Sequence, residues 1–321
     1  VREVAFIKQN AAKWERFDHV IKNTGSLSPD SLSDLYINLQ DDLAYARTHY
    51  PKSNTTQYLN ELAGHFHSAI YKNRRERRSR FVTFWKYEVP QAILKSHKEL
   101  LLALIIFLTS VGIGIISSAH DHDFVRLILS DDYVNMTLEN IDKGDPLAVY
   151  GKMHQGPMFF AISSNNIYVS FLTYVLGIFF SVGTVVELFN NGVMLGAFQY
   201  FFYENHLLLT SILAIYLHGA LELSSIIIAG GAGLVLGNSL LFPGTFSRLD
   251  SVREAAARSL KIVIGLVPVF IVAASIESFV TRQYNVMPAA LRISIILVSF
   301  SFIIWYFIIY PIRLKTQVHG K

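Results

Sequence analysis

Residues 207–242 form one apolar run of 36 residues, LLLTSILAIYLHGALELSSIIIAGGAGLVLGNSLLF, whose one acidic or basic side chain other than histidine is Glu222. Hydrocarbon offers no partner to backbone N–H and C=O groups, so such a run crosses a bilayer as helix, or re-enters it where protein covers the irregular backbone. About 20 residues rising roughly 1.5 Å each suffice for a core about 30 Å thick. This run is therefore strongly tilted, broken or re-entrant. It also sets His218 and Glu222 one helical turn apart on one face. An ionisable side chain at bilayer depth costs roughly 2.5–3.5 kcal/mol on insertion scales, and so faces a protein interior or a wet cavity.

The chain has two unlike halves. Hydrophobic residues make up 52% of it and charged residues 16%, with the apolar excess lying after residue 99. There is no cysteine, which excludes a disulfide framework and a thiolate metal site. Residues 1–98 carry 16 Lys plus Arg against 10 Asp plus Glu, a net of +6, whereas residues 120–166 carry 3 against 7, a net of −4. Lys and Arg are retained on the cytoplasmic side. The first span, about Leu100 to Ser118, is thus expected to leave the cytoplasm, with residues 120–166 as an extracytoplasmic loop. The amino-terminal sequence, VREVAFIKQNAAKWERF, lacks the apolar stretch and cleavage site of a signal peptide, so that end is expected to stay inside.

A second span is expected from about Ile167 to Val186. A further pair of elements follows, Glu187 to Tyr203 and the long run, crossing or re-entering. A closing hairpin, about Ile262 to Thr281 and Ile293 to Ile312, turns near Pro288. Arg248, Arg253, Arg258 and Lys261 mark an inside segment, and the carboxyl end is inside again. The expectation is an all-α, polytopic integral protein of the bacterial inner membrane. It has about six hydrophobic elements, both termini in the cytoplasm and a transmembrane domain over 99–315.

Residues 1–80 read as a cytoplasmic helical domain. Phe6, Ile7, Trp14, Phe17 and Ile21 recur at helical spacing, Ser28 and Pro29 suit the start of a second helix, and Ser53 or Asn54 the start of a third. The third ends in Arg74, Arg75, Arg77, Arg78 and Arg80. Phe81, Phe84, Trp85 and Tyr87 follow, so 81–98 is read as an interfacial amphipathic segment beside anionic head groups. A solvated helix end is the plainer alternative.

Candidate functional residues inside the membrane are His218, Glu222, Glu187 and Glu277, with Asn191 and Gly192 at a helix start or turn. Gly192 with Gly196, and Gly233 with Gly237, give two G-x-x-x-G spacings, and Gly230 and Gly231 precede the second. Small residues at this spacing let helix backbones approach closely, within one subunit or across a dimer seam, or mark a helix break. His120, Asp121, His122 and Asp123 group beside the first span, a pattern more typical of a solvated helix end than of a cation site. No H-E-x-x-H motif, phosphate-binding loop or serine elbow occurs. We therefore expect no enzyme, no cofactor, no bound metal and no nucleic-acid partner.

Asn165-Asn166-Ile167, Asn191-Gly192 with Leu195-Gly196, His218-Gly219-Ala220-Leu221-Glu222-Leu223, and Ala229-Gly230 with Gly233-Leu234-x-Leu236-Gly237 resemble the stage II sporulation protein M family over about residues 85–315. The resemblance implies a polytopic membrane protein. In spore formers the founding member anchors a peptidoglycan-degrading machine during engulfment. Elsewhere, members resemble components of clusters with MoxR-type AAA ATPases and RDD-type membrane proteins. The additional amino-terminal helices are similar to those of the non-sporulating branch. Together these imply a membrane scaffold for envelope partners. A transporter, channel or lipid-translocating protein, using His218 and Glu222 near a broken helix, is the alternative.

Overall fold

The computed structural model describes residues 2–22, 29–72, 79–148, 154–245 and 247–319, and all the regular structure among them is helical. Two compact units divide at Arg80 and Phe81.

The first unit contains α1 (Glu3–Lys22), α2 (Pro29–His49) and α3 (Asn54–Lys72). Phe6, Trp14, Phe17, Leu39, Leu43, Leu59, Leu62 and Phe66 meet in one core. Trp14, although buried, donates its indole N–H to Asp42 at 2.8 Å, and Lys13 pairs with the same carboxylate at 2.7 Å. Ser53, one of the two expected caps, accepts from the Thr56 amide at 3.2 Å and starts α3. Ser28 and the basic run Arg74, Arg75, Arg77 and Arg78 lie outside the described residues. Arg80 is described and exposed.

The second unit begins within α4 (Ser79–Thr83), at Phe81. A π-helical turn (Phe84–Glu88) leads into α5 (Val89–Lys95) and α6 (His97–His120), and two short helices, α7 (His122–Leu129) and α8 (Asp131–Asp142), come next. Then come α9 (Gln155–Val175), α10 (Val182–Glu204), α11 (Leu208–Leu241) and α12 (Arg248–Ser275). A π turn (Ile276–Val280) and a 3-10 segment (Thr281–Val286) precede α13 (Ala289–Ile304), a third π turn (Trp305–Ile309) and α14 (Tyr310–His319). Among the described residues, five helical stretches are long and apolar enough to cross a membrane: 97–120, 155–178, 208–241, 248–286 and 289–316. Over their most apolar 18 residues, the long run and the stretch after it have 56% and 50% of residues buried, against 22% for the first stretch and 17% for the last, so α11 and α12 form the centre. The sixth element, α10, lies against α6 and α11.

Two expectations need correction. The long run, expected to be strongly tilted, broken or re-entrant, is not broken: α11 is a continuous helix of 34 residues, about 51 Å at 1.5 Å per residue. Part of the excess length is used at its amino-terminal end, where Ala214 and Leu207 pack with Val125, Leu129 and Val134 of α7 and α8. The expected loop over 120–166 is also too long. Helix α9 begins at Gln155, and its buried stripe is polar, with Ser163, Asn166, Ser170 and Thr173 facing protein while Phe160 and Tyr168 face outward. Hydropathy scored those buried polar groups as aqueous. The chain then turns at 176–181, not near residue 186, with Phe180 and Ser181 at φ of 52° and 67°.

Gly192 and Gly196 of α10 and Gly230, Gly231, Gly233 and Gly237 of α11 are packing positions. A Cβ on Gly196 would strike the carbonyl of Val111 on α6, and one on Gly192 would come within 2.6 Å of the Ser110 Cβ and 2.8 Å of the Phe107 carbonyl. The second G-x-x-x-G seats a turn: Gly237 abuts Ser181, and Gly233 abuts Thr184 and the Thr173 carbonyl. Gly230 meets Leu188 of α10, and Gly231 meets Leu100 of α6. Both glycine faces are filled within one chain, which leaves neither as a dimer seam.

Candidate functional site

His218 and Glu222 share a face of α11, four residues apart, as helical geometry requires. Where α12 ends, the π turn adds a residue to the helical repeat and carries Glu277. The three side chains converge: one ligand-type atom from each of His218, Glu222 and Glu277 lies within 4.8 Å of the other two. His218 is buried, its Nε2 lies 3.9 Å from Glu277 Oε2, and the Glu277 side chain is 15% exposed.

Around these three the setting is polar and closed. Nδ1 of His218 lies 3.2 Å from Thr281 Oγ1, and that hydroxyl donates to the Ile276 carbonyl at 3.3 Å. Glu222 is approached from α9 by Asn166, which is 7% exposed. Nδ2 of Asn166 makes no hydrogen bond of acceptable geometry, and the hydroxyls of Ser163, Ser170, Ser225 and Ser278 are buried without a partner. Ser225 follows Glu222 by three residues on α11, and Ser163 and Ser170 flank Asn166 on the inner stripe of α9. The site is thus a polar core where α9, α11 and the end of α12 meet.

Other expected site residues lie apart from it. Asn191 donates to its own helix at the Glu187 carbonyl, 2.8 Å away, and Gly192 packs on α6. Glu187 does not enter the cluster among the described residues. Asp121 caps α7 by accepting from the Asp123 amide at 3.0 Å, His120 bonds the Ile116 carbonyl at 2.8 Å, and exposed His122 pairs with Glu204 at 3.1 Å. That group therefore caps a helix and links α7 to α10. Sequence reasoning singled out His218, Glu222 and Glu277 but missed Asn166 and Thr281 as their neighbours. The signal for Asn166 was a period of three and four in the polar residues of α9. For Thr281 there was none.

The fold and its buried polar centre define an all-helical membrane protein with a separate helical unit ahead of it. A family model described as stage II sporulation protein M matches residues 103–282, and the chain belongs to that family. Residues 4–72 match a family described as a domain of unknown function (DUF8413). No curated protein and no solved structure matches the chain.

Proposed function

We propose that this protein is a non-enzymatic scaffold of the bacterial inner membrane that gathers envelope partners. The observation that carries the reading is the continuity of α11 and the backbone-close seating of α6, α10 and the 176–181 turn on its glycines. Transporters of known types commonly bind substrate at discontinuous helices and rock one bundle against another. Here the glycines that would have to break α11 are wedged against neighbours, which suits a rigid frame. The basic amino-terminal unit would face the cytoplasm, with both termini inside, and the segment carrying α7 and α8 would face outward. Partners of MoxR-type ATPase and RDD-type membrane class follow from the family resemblance, and the arginines at 74, 75, 77 and 78 would hold the anionic membrane surface.

A second reading, transport or lipid translocation, rests on the polar cluster at His218, Glu222 and Glu277. One experiment separates the two. The purified full chain is mixed with a MoxR-type ATPase and an RDD-type protein of the same organism, and the same preparation is reconstituted in vesicles. The scaffold reading expects co-elution that is lost when residues 1–80 are removed, with ion and lipid flux equal to empty vesicles. Flux above that background without any co-elution would overturn it.

A further inference from the structure

We infer that His218, Glu222 and Glu277 form a binding site for one divalent first-row transition ion, with zinc the type case. Ligand chemistry comes first. One imidazole nitrogen and two carboxylate oxygens make a borderline N/O donor set that suits zinc, iron or manganese, and three protein ligands leave a position for water or a fourth donor. Zinc–ligand bonds of about 2.0–2.2 Å in a tetrahedron put ligand atoms roughly 3.4 Å apart. The His218 to Glu277 separation of 3.9 Å and the 4.8 Å limit for all three are within a side-chain rotation of that spacing.

The tautomer of His218 points the same way. With the Thr281 hydroxyl donating to the Ile276 carbonyl, its oxygen is free to accept from His218 Nδ1–H, the tautomer that suits a ligand at Nε2. Nε2 then carries the lone pair, and it faces a carboxylate oxygen, also an acceptor, at 3.9 Å. In that tautomer a cation between Nε2 and the carboxylate satisfies both. A ligating histidine characteristically gives its other N–H to a fixed partner that sets the ring, and Thr281 fills that role.

Charge and the neighbours complete the case. Two carboxyl groups close together in a low-dielectric interior stay ionised only beside a counter-charge, and a divalent ion matches both, giving a neutral site where net charge is expensive. Asn166 supplies the independent sign of a ligand shell. It is nine-tenths buried beside Glu222; its Oδ1 accepts from Asn165 Nδ2 at 3.4 Å, while its Nδ2 has no partner of acceptable geometry and is placed to hold either that carboxylate or a metal-bound water. The 15% exposure of Glu277 gives access, at the end of the bundle where Tyr284 joins the α7 and α8 core.

The test uses the full chain in detergent, without a histidine tag, stripped with a chelator and titrated with Co²⁺. The parent should bind one equivalent with the visible absorption of nitrogen–oxygen coordination, and Zn²⁺ should displace it. Glu277→Gln, near-isosteric and partly exposed, should weaken binding at least tenfold, and Thr281→Val about tenfold, as for removal of a residue that orients a ligand. Replacing both His120 and His122 by Ala should change nothing. Zn²⁺ should raise the thermal midpoint of the parent and not that of Glu277→Gln, a comparison made within each folded sample. No Co²⁺ uptake by the parent, equal uptake by Glu277→Gln, or loss of uptake on removing His120 and His122 would each overturn the site. The readout is independent of partner recruitment, so its failure leaves the scaffold proposal as it stands.

Discussion

Gly112 and Gly114 are two residues apart on α6, yet alanine at each should act in opposite directions. Nothing lies within 4 Å of a Cβ at Gly112. There Gly112→Ala only restricts the backbone of the unfolded chain and improves helix propensity, so it should be neutral or stabilise by up to about 1 kcal/mol. A Cβ at Gly114 would strike the Val193 carbonyl oxygen and sit 3.0 Å from its Cα and 3.1 Å from its carbonyl carbon. Carbon atoms rest about 3.5–4.0 Å apart, so α6 and α10 must separate by roughly 0.5–1 Å, which forfeits about a quarter to a half of the dispersion well along that seam. Overpacking of this kind costs about 1–3 kcal/mol. The obstacle is main chain, which no rotamer change can remove. The two variants should therefore differ by about 1–4 kcal/mol in reversible unfolding followed by circular dichroism during titration into SDS. Stabilities equal within about 0.5 kcal/mol would refute the claim that Gly114 is a contact position.

Further outcomes follow from other parts of the molecule. Single cysteines, introduced into a chain that has none, should label from outside the cell at Gly144, and only after permeabilisation at Asp250 and His319; the reverse pattern would invert the topology. Replacing Arg74, Arg75, Arg77 and Arg78 by Gln should weaken binding of residues 1–80 to anionic vesicles by about 1 kcal/mol per residue near the surface, and unchanged binding would make the run a solvated face. Trp14→Phe, which leaves Asp42 without its indole donor, should destabilise the first unit by about 1.5–3 kcal/mol in chemical denaturation of the full chain. Asn166→Leu removes the amide beside Glu222 and should destabilise the second unit by about 1–3 kcal/mol, the cost of leaving a buried polar group short of a donor; unchanged stability would mean that Asn166 does not hold Glu222 in place.

Much of this architecture was legible in the residues. Long apolar runs can only be helices in a membrane, because only local hydrogen bonding satisfies their backbone there. Hence the helical class and the closing hairpin around Pro288 followed from composition along the chain. Capping chemistry at Ser53 and the helical spacing of Phe6, Trp14 and Phe17 similarly set the first unit. Glycine spacing announced close packing in α10 and α11, because the absence of a side chain is a local property.

What local pattern could not supply was the neighbour. Hydropathy counts a polar residue the same way whether it meets water or protein, so Ser163 and Asn166 read as loop until α11 was seen to cover them. Whether a glycine cluster breaks a helix or seats a partner depends on what fills the space, and at Gly233 and Gly237 that is a turn more than 50 residues earlier in the chain. The pair at 218 and 222 was visible because four residues make one helical turn. Its third member and the histidine's Thr281 partner were joined to it only by packing α12 against α11 and by the π turn that aims Glu277 inward, since side chains separated by more than 50 residues meet through tertiary contacts alone.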